Sequence, residues 1–198
     1  MNTFILATDS CADLPNEIVK EMELAIIPLT VDIEGNTYAH YPDERELKTK
    51  DFYQMLRDKK VAKTSLINVQ SFLDFFETYL KDGKDILYIA FSSALSGTYQ
   101  SSVIAKEELS SQYPDRKIYT IDSRSASMGQ GLLVYHAWQR IKEGMALSEV
   151  AAWVEDNKLK HIHIFTVDDL GTLRRDGRLS DVSAILGTIL RIKPILHV

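Results

Sequence analysis

Short apolar runs rich in β-branched and aromatic residues alternate along this chain with amphipathic stretches, and that alternation limits the fold more than any other feature. The strand-like runs are residues 3–8, 25–33, 85–91, 117–121 and 161–167, with 194–198 as a sixth candidate. Between them, Val69, Phe72, Leu73, Phe76 and Leu80 recur at helical spacing and stop before Gly83. Leu132, Leu133, Ala137, Trp138 and Ile141 repeat the pattern before Gly144. Ser148 then reads as the cap of a following helix, with Leu147 able to staple onto Ala152 or Trp153. Strand–helix–strand alternation predicts an α/β fold, a mostly parallel sheet with helices on both faces. The polar stretch 35–63, which contains Pro42, breaks the rhythm and is expected to be an excursion carrying one helix over 46–59.

The Asn and Lys residues at 157–160 mark the best boundary, giving an N-terminal α/β domain over 1–157 and the start of a second α/β domain over 158–198. Ile192-Lys193-Pro194-Ile195-Leu196-His197-Val198 reads as the beginning of a strand, so the second domain is expected to be incomplete within these residues. A chain ending this way should bind its ligand weakly and self-associate through uncovered apolar residues of 184–190 and a free strand edge.

Apolar residues at 45% and charged residues at 26% are ordinary for a globular chain. The 28 acidic against 23 basic residues give a net charge of −5, with no Lys/Arg block, which argues against a nucleic-acid partner. The single cysteine, Cys11, excludes an internal disulfide, and no Cys/His cluster suggests zinc. The N-terminal apolar run, Phe4 to Ala7, is too short for a signal peptide, and no transmembrane segment follows, so the default location is cytoplasmic.

Polar residues gather where strands end: Thr8-Asp9-Ser10, then Phe91 through Thr98, then Asp122-Ser123, then Thr166-Val167-Asp168-Asp169. In open α/β sheets, ligands sit beyond the carboxyl ends of strands, so these ends should face one crevice. In Ser96-Gly97-Thr98, a serine and glycine precede a helical pattern; such a start can bind a carboxylate or phosphate, although spacing alone favours a simple capping serine. A hydrolase or transferase using Ser96 or Ser93 as nucleophile is the weaker alternative. For Ser96, Ala94 stands where a GxSxG elbow has glycine, and no sequence signature ties a histidine to it. Neither a P-loop nor a GxGxxG motif is present. The run Leu173 to Ser180 carries Arg174, Arg175 and Arg178 around Gly177, and reads equally as an anion fork or a solvated basic turn. Lys63-Thr64-Ser65 reads on its own as a capping segment for the Val69 helix. His161 and His163 share one face of a strand but lack a third ligand, which favours packing over a metal site.

Taken together these segments resemble the DegV family. The matching features are Thr8 through Leu14, Ile27-Pro28-Leu29, Lys63-Thr64-Ser65, Ser92 through Ser101, Ile121-Asp122-Ser123, Leu173 through Arg178 and Ile192 through Ile195, in the family's order. The resemblance implies a two-domain α/β protein that binds one long-chain fatty acid in a buried tunnel, without being an enzyme and without a cofactor or metal. It further implies that the acyl carboxylate is presented to a separate fatty acid kinase, which makes an acyl phosphate. By motif position, Thr64 and Ser96 resemble the hydroxyls that hold the carboxylate, and Arg178 the arginine near the head group. Ser65, Ser93 and Gly97 complete the implied ligand-binding set. Two departures stand out: Leu66-Ile67 follows Thr64-Ser65 where the family commonly has Gln-Pro, and Asp176 precedes Gly177 where it often has a second glycine. Family members also continue beyond residue 198, and the later part supplies a tunnel wall and a histidine near the carboxylate; none of the five histidines here sits in that motif. The chemistry suits a carrier: roughly 14 methylenes at ~0.8 kcal/mol each supply ~11 kcal/mol of transfer energy, leaving the head-group contacts to set orientation.

Overall fold

The computed structural model describes residues 4–166, 177 and 195–197. In chain order the first elements are β1 (Phe4–Asp9), a 3-10 turn (Ser10–Ala12), α1 (Asn16–Glu21), β2 (Ala25–Ile27), β3 (Thr30–Ile33), β4 (Asn36–Ala39), α2 (Thr49–Arg57) and β5 (Ala62–Ser65). There follow α3 (Val69–Lys81), β6 (Asp85–Ala90), α4 (Thr98–Gln112), β7 (Ile118–Asp122), α5 (Ser127–Lys142), α6 (Leu147–Asn157), a second 3-10 turn (Lys158–Lys160), β8 (Ile164–Phe165) and β9 (Leu196–His197). The chain divides into two compact units, Met1–His161 and Ile162–Val198. In the second, Ile164 pairs with His197 and Phe165 with Leu196, antiparallel.

Within the first unit, four parallel strands lie in the order β2-β1-β6-β7. This is the α/β architecture that the alternation predicts. Side chains alternate across the pleat, so β6 sends Leu87 and Ile89 to one face and Ile86, Tyr88 and Ala90 to the other. The first set packs with Leu133, Val134 and Ala137 of α5 and Val150 and Val154 of α6. The second packs with Phe72, Phe76 and Leu80 of α3 and Ala105 and Leu109 of α4. Fully burying one such side chain is worth about 1.5–3 kcal/mol, and every β6 residue from Ile86 to Ala90 is at 0% exposure. β6 is therefore the centre of the core. Gly131 lets α5 approach the turn after β1: a Cβ there would stand 2.6 Å from the Ala12 carbonyl oxygen.

Several expectations are corrected. The run 25–33 is two strands in two sheets. Pro28 has no N–H to give a ladder, and the chain leaves the parallel sheet there. It enters a three-stranded antiparallel sheet ordered β4-β3-β5, held at the bend by the Leu29 N–H, which donates to Ser10 Oγ at 3.0 Å. The two-residue turn Glu34-Gly35, both at positive φ, links β3 to β4. The excursion thus begins before residue 35. Its helix is Thr49–Arg57, shorter than 46–59. Lys63-Thr64-Ser65 does not cap α3; it belongs to β5, and Asn68 caps instead, its Oδ1 accepting from the Ser71 N–H at 2.9 Å. Nor does Ser148 cap α6, which starts one residue earlier, with Glu149 Oε2 accepting from the Ala146 N–H at 2.8 Å.

Candidate functional site

The chain leaves β1 toward β2 on one side and, after β6, toward β7 on the other. The turn after β1 packs on one face of the sheet and α4 on the opposite face. The carboxyl ends of β1 and β6 therefore flank the topological switch point, where this architecture opens a crevice. Three of the predicted polar strand ends, those of β1, β6 and β7, meet there.

Asp9 occupies the crevice floor and is wholly buried. Its Oδ2 accepts from the Tyr88 hydroxyl and the Phe91 N–H, each at 2.8 Å. Its Oδ1 accepts from the Cys11 N–H at 3.1 Å and from Gln130 Nε2 at 3.2 Å. Gln130 Nε2 also donates to Thr8 Oγ1 at 2.9 Å, and that hydroxyl donates to the Ile89 carbonyl at 2.7 Å. Burial holds the Asp9 carboxyl above its ordinary value in spite of the four hydrogen bonds that favour the anion. Burial and the Asp9 charge together push the Tyr88 phenol up. The Cys11 thiol is likewise pushed far up, chiefly by burial, so it is not a reactive thiolate.

A second carboxylate closes the other side of the same loop. Asp122 Oδ1 accepts from the N–H groups of Ser93 at 3.1 Å and Arg124 at 3.0 Å. Asp122 Oδ2 accepts from Ser93 Oγ at 2.6 Å and lies 3.0 Å from Arg124 Nε. The segment after β6 is thus gripped at Phe91 from β1 and at Ser93 from β7. It then turns tightly, the Leu95 and Ser96 N–H groups both returning to the Ser92 carbonyl, at 3.1 and 3.2 Å.

The turn delivers Ser96 and Gly97 to the start of α4. Ser96 Oγ accepts from the Thr98 N–H at 3.2 Å and lies 3.0 Å from Thr98 Oγ1. Part of the capping reading is therefore correct, although Gly97 holds the formal cap position. Thr98 Oγ1 also accepts from the Ile67 N–H at 3.3 Å, which ties the segment after β5 to this turn. A Cβ on Gly97 would come 3.3 Å from Leu66 Cδ2. The end of β5 and the Ser96-Gly97 turn are brought together across thirty-one residues of sequence. Thr64 pairs with Val31 and Ala62 with Ile33, so Thr64 shares the face that buries Ile33, while Ser65 falls on the opposite face with Lys63. The two adjacent hydroxyls of the Lys-Thr-Ser segment point apart.

Arg178, and the Val167–Asp169 strand end, lie outside the described residues. His161 is a packing residue: its Nδ1 meets the Asn157 carbonyl at 3.0 Å, and its ring lies 5.3 Å from that of His136. Among the described residues no group of three or more His, Cys, Asp or Glu could hold a metal, and no helix is long and apolar enough to cross a membrane. A depression of about 770 Å³ bordered by Phe4, Leu6, Lys84, Trp138 and Ile141 lies at the amino ends of the strands, and its lining contains none of the predicted site residues. Three site-supporting residues escape a reading of the sequence: Tyr88 looks like one more core aromatic, Gln130 sits in an unremarked helix start, and Arg124 is a lone cation.

The sequence matches the family described as "Uncharacterised protein, DegV family" over residues 3–198. A DegV domain-containing protein of Clostridium perfringens is 48% identical over 198 residues, which cover 100% of this chain and 68% of that protein. Among solved structures, a fatty-acid-binding DegV family protein from Thermus thermophilus aligns with a TM-score of 0.84 at 30% identity, over 100% of this chain and 68% of its own. A stearic-acid-binding protein from Eubacterium ventriosum gives 0.81 at 28% identity, over 90% and 61%. Both solved relatives are described as binding proteins rather than as enzymes, their bound molecule being a fatty acid and not a cofactor.

Proposed function

Because this chain belongs to the DegV family, we propose that it binds a long-chain fatty acid and presents the carboxylate to a separate fatty acid kinase. The observation that carries the reading is the junction of the β5 end with the Ser96-Gly97 turn, made by Ile67 with Thr98 and by Leu66 with Gly97. In this reading Thr64, two residues before Leu66, stands at the same mouth as Ser96. A hydroxyl from each side and the first-turn N–H groups of α4 suit a carboxylate. By its position in the family motif we assign the head-group cation to Arg178. In the kinase step, a carboxylate oxygen bonds to the terminal phosphorus of ATP held by the kinase. The bond from that phosphorus to the bridging oxygen breaks, releasing ADP and leaving acyl phosphate. ATP supply places this work in the cytoplasm.

The nucleophile alternative has less support. Ser93 Oγ donates to Asp122 and Ser96 Oγ lies against Thr98 Oγ1, so among the described residues the recorded partner of each hydroxyl is not a histidine base.

Denaturing extraction followed by mass spectrometry tests the reading: a fatty acid released without a covalent serine adduct is expected, and an acylated serine would sink it. Ser96→Ala should weaken fatty-acid binding by about 1.5–3 kcal/mol, the value of one hydrogen bond to a charged group, while most of the acyl transfer energy remains. Titration with stearate checks this, and unchanged affinity removes Ser96 from the site.

A further inference from the structure

We propose that Arg124 is a phosphate contact of this site, one that favours a phosphate head group over a carboxylate; the inference rests on the fatty-acid reading above. Arg124 follows β7 and holds a left-handed backbone, φ 54°, which a non-glycine residue adopts at a cost. Two bonds to Asp122 fix it: the Arg124 N–H donates to Oδ1 and Nε faces Oδ2, each at 3.0 Å. The same carboxylate holds Ser93 by its N–H and its hydroxyl. Arg124 is therefore locked to the loop that carries Ser96, with Ser93 only three residues away through a tight turn.

Asp122 does not need the guanidinium to be satisfied. Ser93 N–H, Ser93 Oγ and Arg124 N–H already supply three donors, all from groups that carry no charge. What the guanidinium adds is a cation, and 59% of the Arg124 side chain remains exposed. With Nε turned to Asp122, the guanidinium still offers the N–H groups of its two terminal nitrogens as a planar fork. Such a fork fits the three oxygens of a phosphate, which carries more charge and more acceptors than a carboxylate. Asp122 offsets part of the cation's pull on either anion, but a phosphate of up to two charges gains up to about twice what a singly charged carboxylate does and has more oxygens for the fork. The guanidinium is also already ordered, which lowers the entropy lost when an anion docks. The fitted ligand class is a long-chain alkyl or acyl phosphate, the product side of the proposed transfer.

The test compares two probes of equal chain length, palmitate and hexadecyl phosphate, on this chain and on Arg124→Gln and Arg124→Lys. Arg124→Gln should weaken hexadecyl phosphate by about tenfold or more and palmitate by less than about threefold. Arg124→Lys, which keeps the charge but loses the fork, should fall between. Equal weakening of both probes, or of neither, overturns the proposal. If Arg124→Gln fails to fold by circular dichroism, Arg124→Lys decides by itself: it must lose phosphate affinity and keep palmitate affinity, and any other pattern overturns it. If the parent chain binds neither probe, the fatty-acid reading fails first and takes this inference with it.

Discussion

Two buried aspartates end strands on either side of β6, and each grips the loop that follows it, yet their partners differ in exposure. Asp9 is wholly buried and takes its donors from Tyr88, Phe91, Cys11 and Gln130. Asp122 is buried too, at 6% exposure, but its partners Ser93 and Arg124 reach solvent. The same residue type thus does two jobs. At Asp9, the Tyr88 hydroxyl and the Phe91 and Cys11 N–H groups depend on the one carboxylate, while Gln130 Nε2 also has Thr8 Oγ1. At the rim, water can replace what is lost, and the partners remain open to a ligand. The switch point is therefore divided into a half whose donors are mostly enclosed and a half whose donors, Ser93 and Arg124, reach solvent.

The contrast is sharpest in stability. Asp9→Ala takes the acceptor from three donors, the buried Tyr88 hydroxyl and the part-buried Phe91 and Cys11 N–H groups, and at about 1–3 kcal/mol for each unsatisfied group it should cost about 3 kcal/mol or more. Asp122→Ala should cost clearly less. Urea unfolding of the pair measures both, and equal losses would erase the distinction.

A smaller effect separates the two by pH. The Asp9 carboxyl is raised in the folded state, so the native chain binds its proton more tightly than the unfolded chain does. Its contribution is fully present below the unfolded value, 3.8, and is lost as pH rises through the higher folded value. The stability of the parent relative to Asp9→Asn should therefore grow as the solution is acidified from neutrality. A flat difference across that range would show that Asp9 titrates normally.

The least effect belongs to the rim. Ser93→Ala leaves Asp122 with the Ser93 N–H and both Arg124 donors, so stability should change by less than about 1 kcal/mol. A thermal midpoint lowered as much as by Tyr88→Phe, which removes a buried donor to Asp9, would mean that the rim is as rigid as the floor.

How far the sequence discloses this depends on range. The parallel strands and the Ser96-Gly97 turn are legible because apolar runs of the right length end in hydroxyls within a few residues. Asp9's role is not, since Tyr88 is 79 residues away and Gln130 is 121. The core face of α4 is also hidden: Thr98, Ser101 and Ser102 are buried alongside Ala105 and Leu109. Their hydroxyls can be buried because Ser101 bonds back to the Gly97 carbonyl and Ser102 to that of Tyr99. Hydrophobic periodicity registers nothing there. β5 escapes for the opposite reason: Lys63, Thr64 and Ser65 are exposed and polar, and their strand state comes from pairing with Asp32, Val31 and Thr30.

The pairing of β1 with β6 also sets a timetable for the nascent chain. Phe4 through Thr8 meet Asp85 through Ile89 and nothing nearer in sequence on that side. On the other side β1 has only the three-residue β2. The Thr8 hydroxyl reaches a carbonyl 81 residues downstream. At synthesis rates of roughly 5–20 residues per second, β1 waits on the order of 4–16 s for its main partner. Through that interval an apolar, hydrogen-bond-hungry segment is open to other chains. Slowing translation between residues 30 and 85 should lengthen the exposure, making the ribosome-bound chain a client of chaperones until β6 emerges.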